Sequence, residues 1–580
     1  MNIGGKTQKS VQSGKVNTLQ LFKFSVIDES TYNQFRKKSI ITNIVTNENY
    51  IMKLSSKEDK YFAYPFATYM RVKERYISID NQQSSFLLEY YNGQAIAETQ
   101  FSDSVLNSKD IKALLGYGIM YDEKSSADLI RYLMISKSQA QITNVYYKLG
   151  FEITPTENRY YGYKIYTDSD ETVTDKYIGC VDLTPRGDLK KWTAMVRTQV
   201  LGNTPLELAL VLGFASPVLA LLNDSLNLGS LVFNYCNTSS KGKTTAAMLA
   251  TSAFSNPAAD RGTLITYNAT ENAIIESLSS MNSCTVGIDE VGMNSVKSLS
   301  RLLYSMDTGT SKRRLDGNAS LKPSKRFCSV VISTAEYSLL NNNIFDGLNA
   351  RVFEINDQLT TCAENSNAIK KVVMSNYGLA GDRFIKYLID NLEHDKSNLL
   401  DVYYEMEGIL SDMTVEYNGN LRSRIVSKLS VILTTAELLD EANILEQPLD
   451  MYRIAEYLSD IVGSCCSQLT PDEKLLNIVA EEIEVNRSHF SRKGEPLYSS
   501  RWGRIDDNDS YIIVNFFQNR FEREMLDNGF LNYSQAIKIL KEKGRLKHET
   551  GRDTRRIITK DKSRLPCYSF VIPKAVTKKQ

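Results

Sequence analysis

This 580-residue chain has few histidines and few cysteines, three and eight respectively. No cysteines have the C-x-x-C spacing of a zinc site and the histidines lie far apart, so no zinc centre is expected. Cys236, Cys284 and Cys328 lie in apolar runs that are typical of buried strands. Scattered, unpaired thiols favour a reducing cytoplasmic compartment over a secreted, disulfide-bonded fold.

A membrane-spanning run and a secretory signal are also lacking. The longest apolar stretch, Leu208–Leu222, is shorter than a bilayer span and contains Ser216 and Pro217, so it predicts a buried helix. Residues 1–17 are polar and are expected to be mobile. With 42% apolar and 24% charged residues, the composition predicts a soluble protein with no membrane partner.

A strong overall charge is absent too, since the formal net charge is +1. The C-terminal residues 534–580 differ, with 14 Lys and Arg against 4 Asp and Glu, a surplus of ten. Such a segment is either an ordinary solvated surface or a basic module that binds nucleic acid.

The segment Asn237–Thr244, NTSSKGKT, has the pattern of a phosphate-binding loop. An apolar run, Leu231–Cys236, precedes it and a helical run, Thr245–Ala253, follows, in the order strand, loop, helix. In such loops backbone N–H groups and the helix end bind phosphate oxygens, a lysine reaches the β- and γ-phosphates, and a hydroxyl holds Mg²⁺. Asn237 replaces the usual glycine, which is tolerable because asparagine accepts a left-handed backbone. The predicted phosphate-binding residues are Asn237, Ser239, Ser240, Lys241, Gly242, Lys243, Thr244 and Thr245, with Thr244 as a magnesium ligand.

Two carboxylates, Asp289 and Glu290, end a second apolar run that begins at Ser283. In nucleotide hydrolases the first acid helps to hold Mg²⁺ and the second activates the attacking water. An acidic pair also often ends a strand without any such role. The sequence therefore makes Asp289 a magnesium-ligand candidate and Glu290 a catalytic candidate.

A third apolar run, Arg326–Thr334, would bring the hydroxyls of Ser333 and Thr334 to the same edge, where one could sense the γ-phosphate. Two more strand candidates are Thr263–Tyr267 and Ala350–Ile355. Five short apolar strands separated by helical segments predict a parallel sheet with ligand chemistry at its carboxyl edge.

Three domains are expected from length and patterning. Residues 18–166 read as a mixed α+β domain for binding or oligomerisation, followed by a linker at 167–176. Residues 180–468 read as an α/β nucleotide-binding core with a helical lid, and residues 469–580 as a winged helix. Lid helices are predicted at Asp382–Leu392, Ser423–Asn443 and Met451–Cys466, and the winged helix from a helix after Ser534 and a basic hairpin.

In its motifs the chain resembles the MCM-like AAA+ helicases of phages, pathogenicity islands and cassette chromosomes. It resembles more closely a mobile-element ATPase family long catalogued as a domain of unknown function. The resemblance covers roughly residues 110–575. It rests on the segments Leu208–Leu219, Asn237–Thr245, Asn268–Leu278, Ile288–Gly292, Thr308–Gly317 and Tyr377–Gly381.

This resemblance implies a ring of identical subunits, expected to be hexameric, with ATP and Mg²⁺ bound between neighbours. Arg351 would be the arginine finger that reaches a neighbour's γ-phosphate, and Arg424 a second sensor. Either arginine could instead be an ordinary ion-pair or surface charge.

A hairpin is predicted by Asp316-Gly317, and in MCM-like rings a hairpin at this place enters the central channel. Basic residues there would grip the phosphates of single-stranded DNA, unless the loop is merely solvated. The DNA-binding candidates are Lys312, Arg313, Arg314 and Lys322 in the hairpin, and Arg552, Arg555 and Arg556 in the C-terminal domain for duplex DNA.

Together these features predict an ATP-dependent DNA helicase that helps to replicate a mobile element, with element-encoded replication proteins as further partners. Two alternatives stay open. An AAA+ remodeller of a protein client normally has an aromatic channel residue where this chain has Lys312-Arg-Arg. An origin-binding initiator would use ATP as a switch with little unwinding.

Overall fold

The structure is a computed structural model of the whole chain. It describes residues 22, 24–39, 41, 43–154, 157–169, 173–293, 299–311, 314–315, 321–322, 324–340, 346–393, 396–417, 420–467, 470–508, 511–527 and 533–573. Contacts divide the chain into two compact units, residues 1–147 with 172–179, and residues 148–171 with 180–580.

The elements up to residue 179 are mainly short strands. They are β1 (Ser25–Ile27), α1 (Glu29–Lys37), β2 (Ile44–Thr46), β3 (Tyr50–Lys57), β4 (Lys60–Thr68), β5 (Met70–Ser78), β6 (Ser84–Tyr91), β7 (Ile96–Ser102), α2 (Ser126–Gln139), β8 (Gln141–Tyr146), β9 (Gly150–Ile153), β10 (Asn158–Tyr161), β11 (Ile165–Thr167) and β12 (Lys176–Tyr177).

The first unit contains two mixed or antiparallel sheets, in the orders β1-β4-β3-β2 and β12-β8-β5-β6-β7. Strand β6 alternates buried and half-exposed residues, which places Phe86 and Leu88 in the core. The helix α2 packs Leu129 and Leu133 into the same core. The α+β character expected for this region is therefore present.

Residues 148–171, which the sequence analysis grouped largely with the N-terminal domain, lie in the second unit. They form the sheet β11-β10-β9, and Asp382 of the core gathers several of their contacts. The hydroxyls of Tyr163 and Tyr166 donate to Asp382 Oδ1 at 2.9 and 2.6 Å, and Lys164 pairs with it at 2.9 Å. Pairings of this kind join residues far apart in the chain, so local sequence patterns could not reveal them.

Residues 180–467 form a parallel sheet and the helices around it. The elements are α3 (Leu189–Gln199), α4 (Thr204–Leu226), β13 (Leu231–Cys236), α5 (Lys243–Ser252), β14 (Leu264–Thr266), α6 (Glu271–Ser280), β15 (Val286–Asp289), α7 (Leu299–Thr308), β16 (Arg314–Leu315), β17 (Leu321–Lys322), β18 (Val330–Ala335), α8 (Asp346–Asn349), β19 (Val352–Ile355), α9 (Ala363–Val373), α10 (Leu379–Asn391), α11 (Ser397–Met413), α12 (Asn420–Glu441) and α13 (Met451–Cys466).

The five predicted strands form one parallel sheet in the order β14-β15-β18-β13-β19. All six residues of β13 and of β18 are buried, as expected for strands covered on both faces. The carboxyl ends of β13, β15 and β18 therefore meet at one edge of the sheet. The predicted parallel sheet is confirmed.

The helix α4 is the longest apolar element and lies against the sheet and α5. Among the described residues it is the one helix long and apolar enough to cross a membrane, but 89% of its most apolar window is buried inside the protein. Pro217 lies within the helix, and the neighbouring Ser216 hydroxyl accepts from Val330 N at 2.8 Å. The buried helix predicted at Leu208–Leu222 is confirmed.

Gly213 marks the closest approach of α4 to the helix of the phosphate loop. A Cβ at this position would lie 2.5 Å from Ala250 O and 3.0 Å from Ala250 Cα, both backbone atoms of α5. We expect Gly213→Val to destabilise the core by about 1–3 kcal/mol, because the backbones must separate. The measurement is the thermal unfolding midpoint.

Gly408 supplies the matched control, since it lies on the exposed face of α11 with no atom within 4 Å of its added Cβ. Gly408→Ala is expected to stabilise by about 0.5–1 kcal/mol through helix propensity. Equal destabilisation by the two substitutions would contradict the close approach at Gly213.

The predicted lid helices correspond to α10, α12 and α13, with ends that differ by up to three residues. The helices α9 and α11 were not predicted. Both lid helices α12 and α13 pack against α4, so the lid and the sheet share one core.

The C-terminal residues form a separate core of helices on one sheet. The elements are α14 (Pro471–Val485), β20 (Phe490–Arg492), β21 (Gly503–Asp507), β22 (Tyr511–Phe517), α15 (Gln518–Asp527), α16 (Tyr533–Glu542), β23 (Leu546–Lys547), β24 (Arg555–Ile558) and β25 (Arg564–Pro573). The helix α14 begins with a capping box between Thr470 and Glu473. The predicted hairpin is present as the antiparallel pair β24–β25.

Candidate functional site

The phosphate loop connects β13 to α5 in the predicted order. The left-handed residues of the loop are Ser240 (φ 68°) and Gly242 (φ 90°), whereas Asn237 is not left-handed. The expected reason for asparagine at 237 was therefore wrong. Its Nδ2 donates to the carbonyls of Asn356 and Asp357 at 3.0 and 2.6 Å, which ties the loop to the segment after β19.

Gly242 is required by its neighbours as well as by its φ. A Cβ there would lie 2.5 Å from Thr360 Oγ1 and 2.9 Å from Thr360 N. Leu359 N also donates to Lys241 O at 3.0 Å, and Lys241 Nζ donates to Gln358 at 3.2 Å. The segment after β19 thus packs against the phosphate loop, and the Lys241 side chain contacts that segment.

Lys243 begins α5, so its backbone lies at the helix end where N–H groups concentrate positive charge. Its Nζ donates to the carbonyls of Asn237 and, at 3.1 Å, Thr238. The side chain therefore extends across the loop, the position from which a lysine can reach phosphate oxygens.

Three side chains from three elements meet beside the loop. Thr334 Oγ1 donates to Asp289 Oδ1 at 2.6 Å, and Thr244 Oγ1 donates to the same oxygen at 3.2 Å. Hydroxyl and carboxylate oxygens are the ligands that Mg²⁺ prefers. Thr244 and Asp289 therefore fit the magnesium role predicted for them.

Glu290 follows directly and is exposed, with a left-handed backbone (φ 66°). Its N–H donates to Thr334 Oγ1 at 2.8 Å, so Thr334 connects the two adjacent acids. A left-handed non-glycine residue is uncommon and often marks a functional turn. The turn separates the two carboxylates: Asp289 contacts Thr244, and Glu290 lines the open cleft.

Ser333 does not join this site. It is buried and its hydroxyl is 2.9 Å from the hydroxyl of Tyr267 in the core. Successive residues of a strand point to opposite faces, so only one of the two adjacent hydroxyls can face the cleft. The prediction that Ser333 senses phosphate is corrected in favour of Thr334.

A cleft of about 580 Å³ lies over these groups. Its walls include Ser239, Ser240, Lys241, Gly242, Lys243, Thr244, Thr245, Asp289, Glu290 and Thr334. A further wall is formed by α9, with Ser366, Asn367 and Lys370, and by Cys362 at its N-cap. Sequence reasoning missed these residues, because their helical spacing resembles that of any solvated helix face. Thr245 Oγ1 lies 2.6 Å from Ser366 Oγ and joins α9 to the loop helix.

The two predicted arginines do not line this cleft. Arg351 Nε lies 2.7 Å from Asp307 Oδ2, and its guanidinium lies 5.0 Å from the ring centre of Tyr304. Arg424 is exposed on α12. Within one chain, neither arginine acts on its own nucleotide site.

The predicted hairpin is present as β16–β17, where Arg314 pairs with Lys322 in an antiparallel register. Lys312 and Arg313 lie outside the described residues, as does the Asp316-Gly317 turn. The backbone therefore places Arg314 and Lys322 opposite each other on the two strands.

The C-terminal arginines separate into two groups. Arg552 and Arg556 are exposed. Arg555 instead donates from Nε to Ser569 Oγ at 2.7 Å and from its terminal nitrogen to Asn515. The Arg555 side chain is therefore occupied by contacts within the sheet, and the prediction that it binds DNA is corrected. Arg556 faces the other side, because alternate residues of a strand face opposite sides.

A glycine-lysine-threonine loop lies between a parallel strand and a helix, and it faces an acid and a threonine from neighbouring strands. This is the arrangement of a P-loop. Residues 46–326 match the family DUF927, a domain of unknown function. Residues 470–575 match the Cch helix turn helix domain. The predicted resemblance to the mobile-element family and the multidomain α/β fold are thereby confirmed.

One similar solved structure is described as "SCCmec type IV Cch - active helicase". It is 24% identical, with a TM-score of 0.67, over 93% of this chain and 98% of that chain. The two proteins therefore share a fold over nearly their whole lengths. Comparison with curated protein sequences gave no match.

Proposed function

We propose that this protein is an ATP-dependent DNA helicase that unwinds DNA during replication of a mobile genetic element in the cytoplasm. The observation that carries the proposal is the hydrogen-bond network of Thr244, Asp289 and Thr334, which joins the phosphate loop to the acidic strand end. The fold shared with a structure described as an active helicase, and the helix-turn-helix match, support DNA as the substrate.

The sheet order and the helices after β19 support assignment to the AAA+ class. In this class the phosphate loop follows a central strand and a helical lid lies beyond the sheet. AAA+ ATPases work as rings with nucleotide between subunits, so we propose a homo-oligomer, expected to be hexameric. The C-terminal domain is proposed to be a winged helix.

Five residues of the cleft have a proposed role in ATP hydrolysis. Lys243 holds the β- and γ-phosphates, and Thr244 and Asp289 hold Mg²⁺, which neutralises charge that develops on the phosphates. Glu290 orients the attacking water and accepts its proton. Thr334 contacts both acids and is proposed to sense the γ-phosphate.

The neighbouring subunit and DNA complete the cycle. Arg351 is proposed to reach the γ-phosphate bound by the adjacent subunit, with Arg424 as a second sensor. The basic hairpin, with Lys312, Arg313, Arg314 and Lys322, is proposed to grip single-stranded DNA and to move with the ATP state. Arg552 and Arg556 are proposed to contact duplex DNA.

The test is steady-state ATPase activity with and without single-stranded DNA, followed by strand displacement on a forked duplex. We expect single-stranded DNA to stimulate ATP turnover, and Lys243→Ala to lose both turnover and displacement. Lys371→Ala is the matched control, because Lys371 is an exposed lysine of α9 outside the cleft.

An ATP turnover rate that is the same with and without DNA would contradict the helicase proposal and favour an AAA+ remodeller of a protein client. Origin binding that survives without any turnover would favour an ATP-switched initiator. ATP turnover retained in Lys243→Ala would contradict the assignment of the phosphate loop itself.

A further inference from the structure

Asp307 is a buried carboxylate at the end of α7 that joins three elements. It is 7% exposed and pairs with Lys428 of α12, which is 8% exposed. Its second oxygen lies 2.7 Å from Arg351 Nε, at the start of β19. One acid therefore holds two cations from the lid and the sheet.

The surroundings show how tightly this group is fixed. Lys428 Nζ also donates to Ser230 O at 3.2 Å, next to the start of β13. Burial lowers the pKa of Lys428, and the negative charge of Asp307 acts in the opposite direction. A buried carboxylate beside two cations is costly to disturb, because removal of one partner leaves an uncompensated charge.

Arg351 is held on two sides by the same helix. Its Nε meets Asp307, and its guanidinium lies over the ring of Tyr304, one turn earlier in α7. Contacts to a carboxylate and to an aromatic face restrict both the position and the plane of a guanidinium. Such restraint matters most for an arginine that must contact a phosphate at a defined position, because the arginine side chain is otherwise flexible.

The same end of α7 carries the hairpin. Asp307 O accepts from Ser230 N at 2.8 Å, and Gly309 (φ 60°) then turns the chain toward β16. Thr310 and Arg326 form a bridge at the base of the hairpin. Asp307 therefore lies three positions before Thr310 at the hairpin base.

We propose that Asp307 is the positioning residue for Arg351, and that it links the arginine to the hairpin of the same subunit. This inference rests on the proposed function of Arg351 as an arginine finger for the neighbouring site. Lys428 pairs with the carboxylate and holds it in place, and Tyr304 fixes the plane of the guanidinium. ATP hydrolysis in one subunit then affects the hairpin of the neighbouring subunit, the one that supplies Arg351.

The test uses rings mixed from two kinds of defective full-length subunit. Lys243→Ala subunits lack a working phosphate loop and keep Arg351, whereas Arg351→Ala subunits have the reverse defect. Mixed in equal amounts, they restore about a quarter of the interfaces, because each interface takes its two subunits at random. This control mixture tests the proposed function separately. If ATPase activity did not recover in it, the proposal that Arg351 acts on the neighbouring subunit's nucleotide would be rejected.

Asp307→Asn is expected to lower kcat by about 10- to 100-fold, because the finger is misplaced rather than removed. Its subunits should recover activity when mixed with Lys243→Ala, which supplies a correctly held Arg351. They should not recover when mixed with Arg351→Ala. Recovery in the opposite pattern, with Arg351→Ala only, would show that Asp307 serves its own cleft and would overturn the proposal.

Tyr304→Leu keeps the test decisive if Asp307→Asn does not fold, since it leaves the buried ion pair intact. It should give the same mixing pattern with a smaller loss of kcat, and recovery with neither partner would overturn the proposal. The matched control is Asp472→Asn, a buried acid of the C-terminal core that pairs with Lys543 at 2.8 Å. Asp472→Asn should leave kcat near that of the unmodified protein, and a loss of kcat as large as that of Asp307→Asn would overturn the proposal.

Discussion

Glu290→Gln is expected to lower ATP turnover by about 10²–10⁴-fold while nucleotide binding is retained. The amide has the shape of the acid but cannot accept the proton of the attacking water. Binding should persist because Lys243, Thr244 and Asp289 are the residues proposed to contact the phosphates and Mg²⁺. The measurements are kcat and the equilibrium affinity for a non-hydrolysable ATP analogue.

Glu336 gives this experiment a matched control. It is an exposed acid that follows β18 and lines the same cleft. Glu336→Gln should have little effect on kcat, because the network of Thr334 contacts the backbone of Glu290. If Glu336→Gln lowered kcat more than Glu290→Gln, water activation would belong to the acid after β18 and the role proposed for Glu290 would be wrong. Strand displacement should be lost with turnover, and DNA binding retained.

Arg351→Ala is expected to lower kcat by about 10³–10⁵-fold, the range found for arginine fingers. The apparent KM for ATP should change little, because Arg351 does not line the cleft of its own chain. Arg351→Lys should recover only part of the rate, since an ammonium cannot form the forked contacts of a guanidinium. The measurement is ATPase rate as a function of ATP concentration.

Arg301 is the matched control for this prediction. It lies on α7, where it pairs with Glu271 at 3.0 Å with half of its side chain exposed. An exposed pair contributes about 0–1 kcal/mol, so Arg301→Ala should leave kcat near that of the unmodified protein. An undiminished kcat in Arg351→Ala would reduce Arg351 to a structural partner of Asp307.

The strands of the parallel sheet could be predicted because they are buried on both faces, which requires nearly continuous apolar runs such as that of β13. The phosphate loop could be predicted because backbone geometry restricts its residues. The helices α12 and α13 were predicted from apolar residues at helical spacing. The cleft wall on α9 could not be predicted, because polar residues at helical spacing also occur on any solvated helix.

In two pairs of adjacent residues, the tertiary structure decided which side chain faces the predicted site. Ser333 and Thr334 are both hydroxyl residues in one strand, and only the pairing of that strand with its neighbours selects Thr334. Arg555 and Arg556 differ in the same way, since the position of β24 on the sheet turns Arg555 toward Ser569. A residue type predicts what a side chain can do, but not which face of the strand it occupies.

The sequence by itself determined the five apolar strands, the phosphate loop and the acidic pair, because each depends on local residue types and spacing. Only the tertiary structure joined Asp307, Arg351 and Lys428, which lie 44 to 121 positions apart in the chain. Only it attached residues 148–171 to the core through Asp382. Contacts between distant segments depend on packing of the whole fold, which no local pattern records.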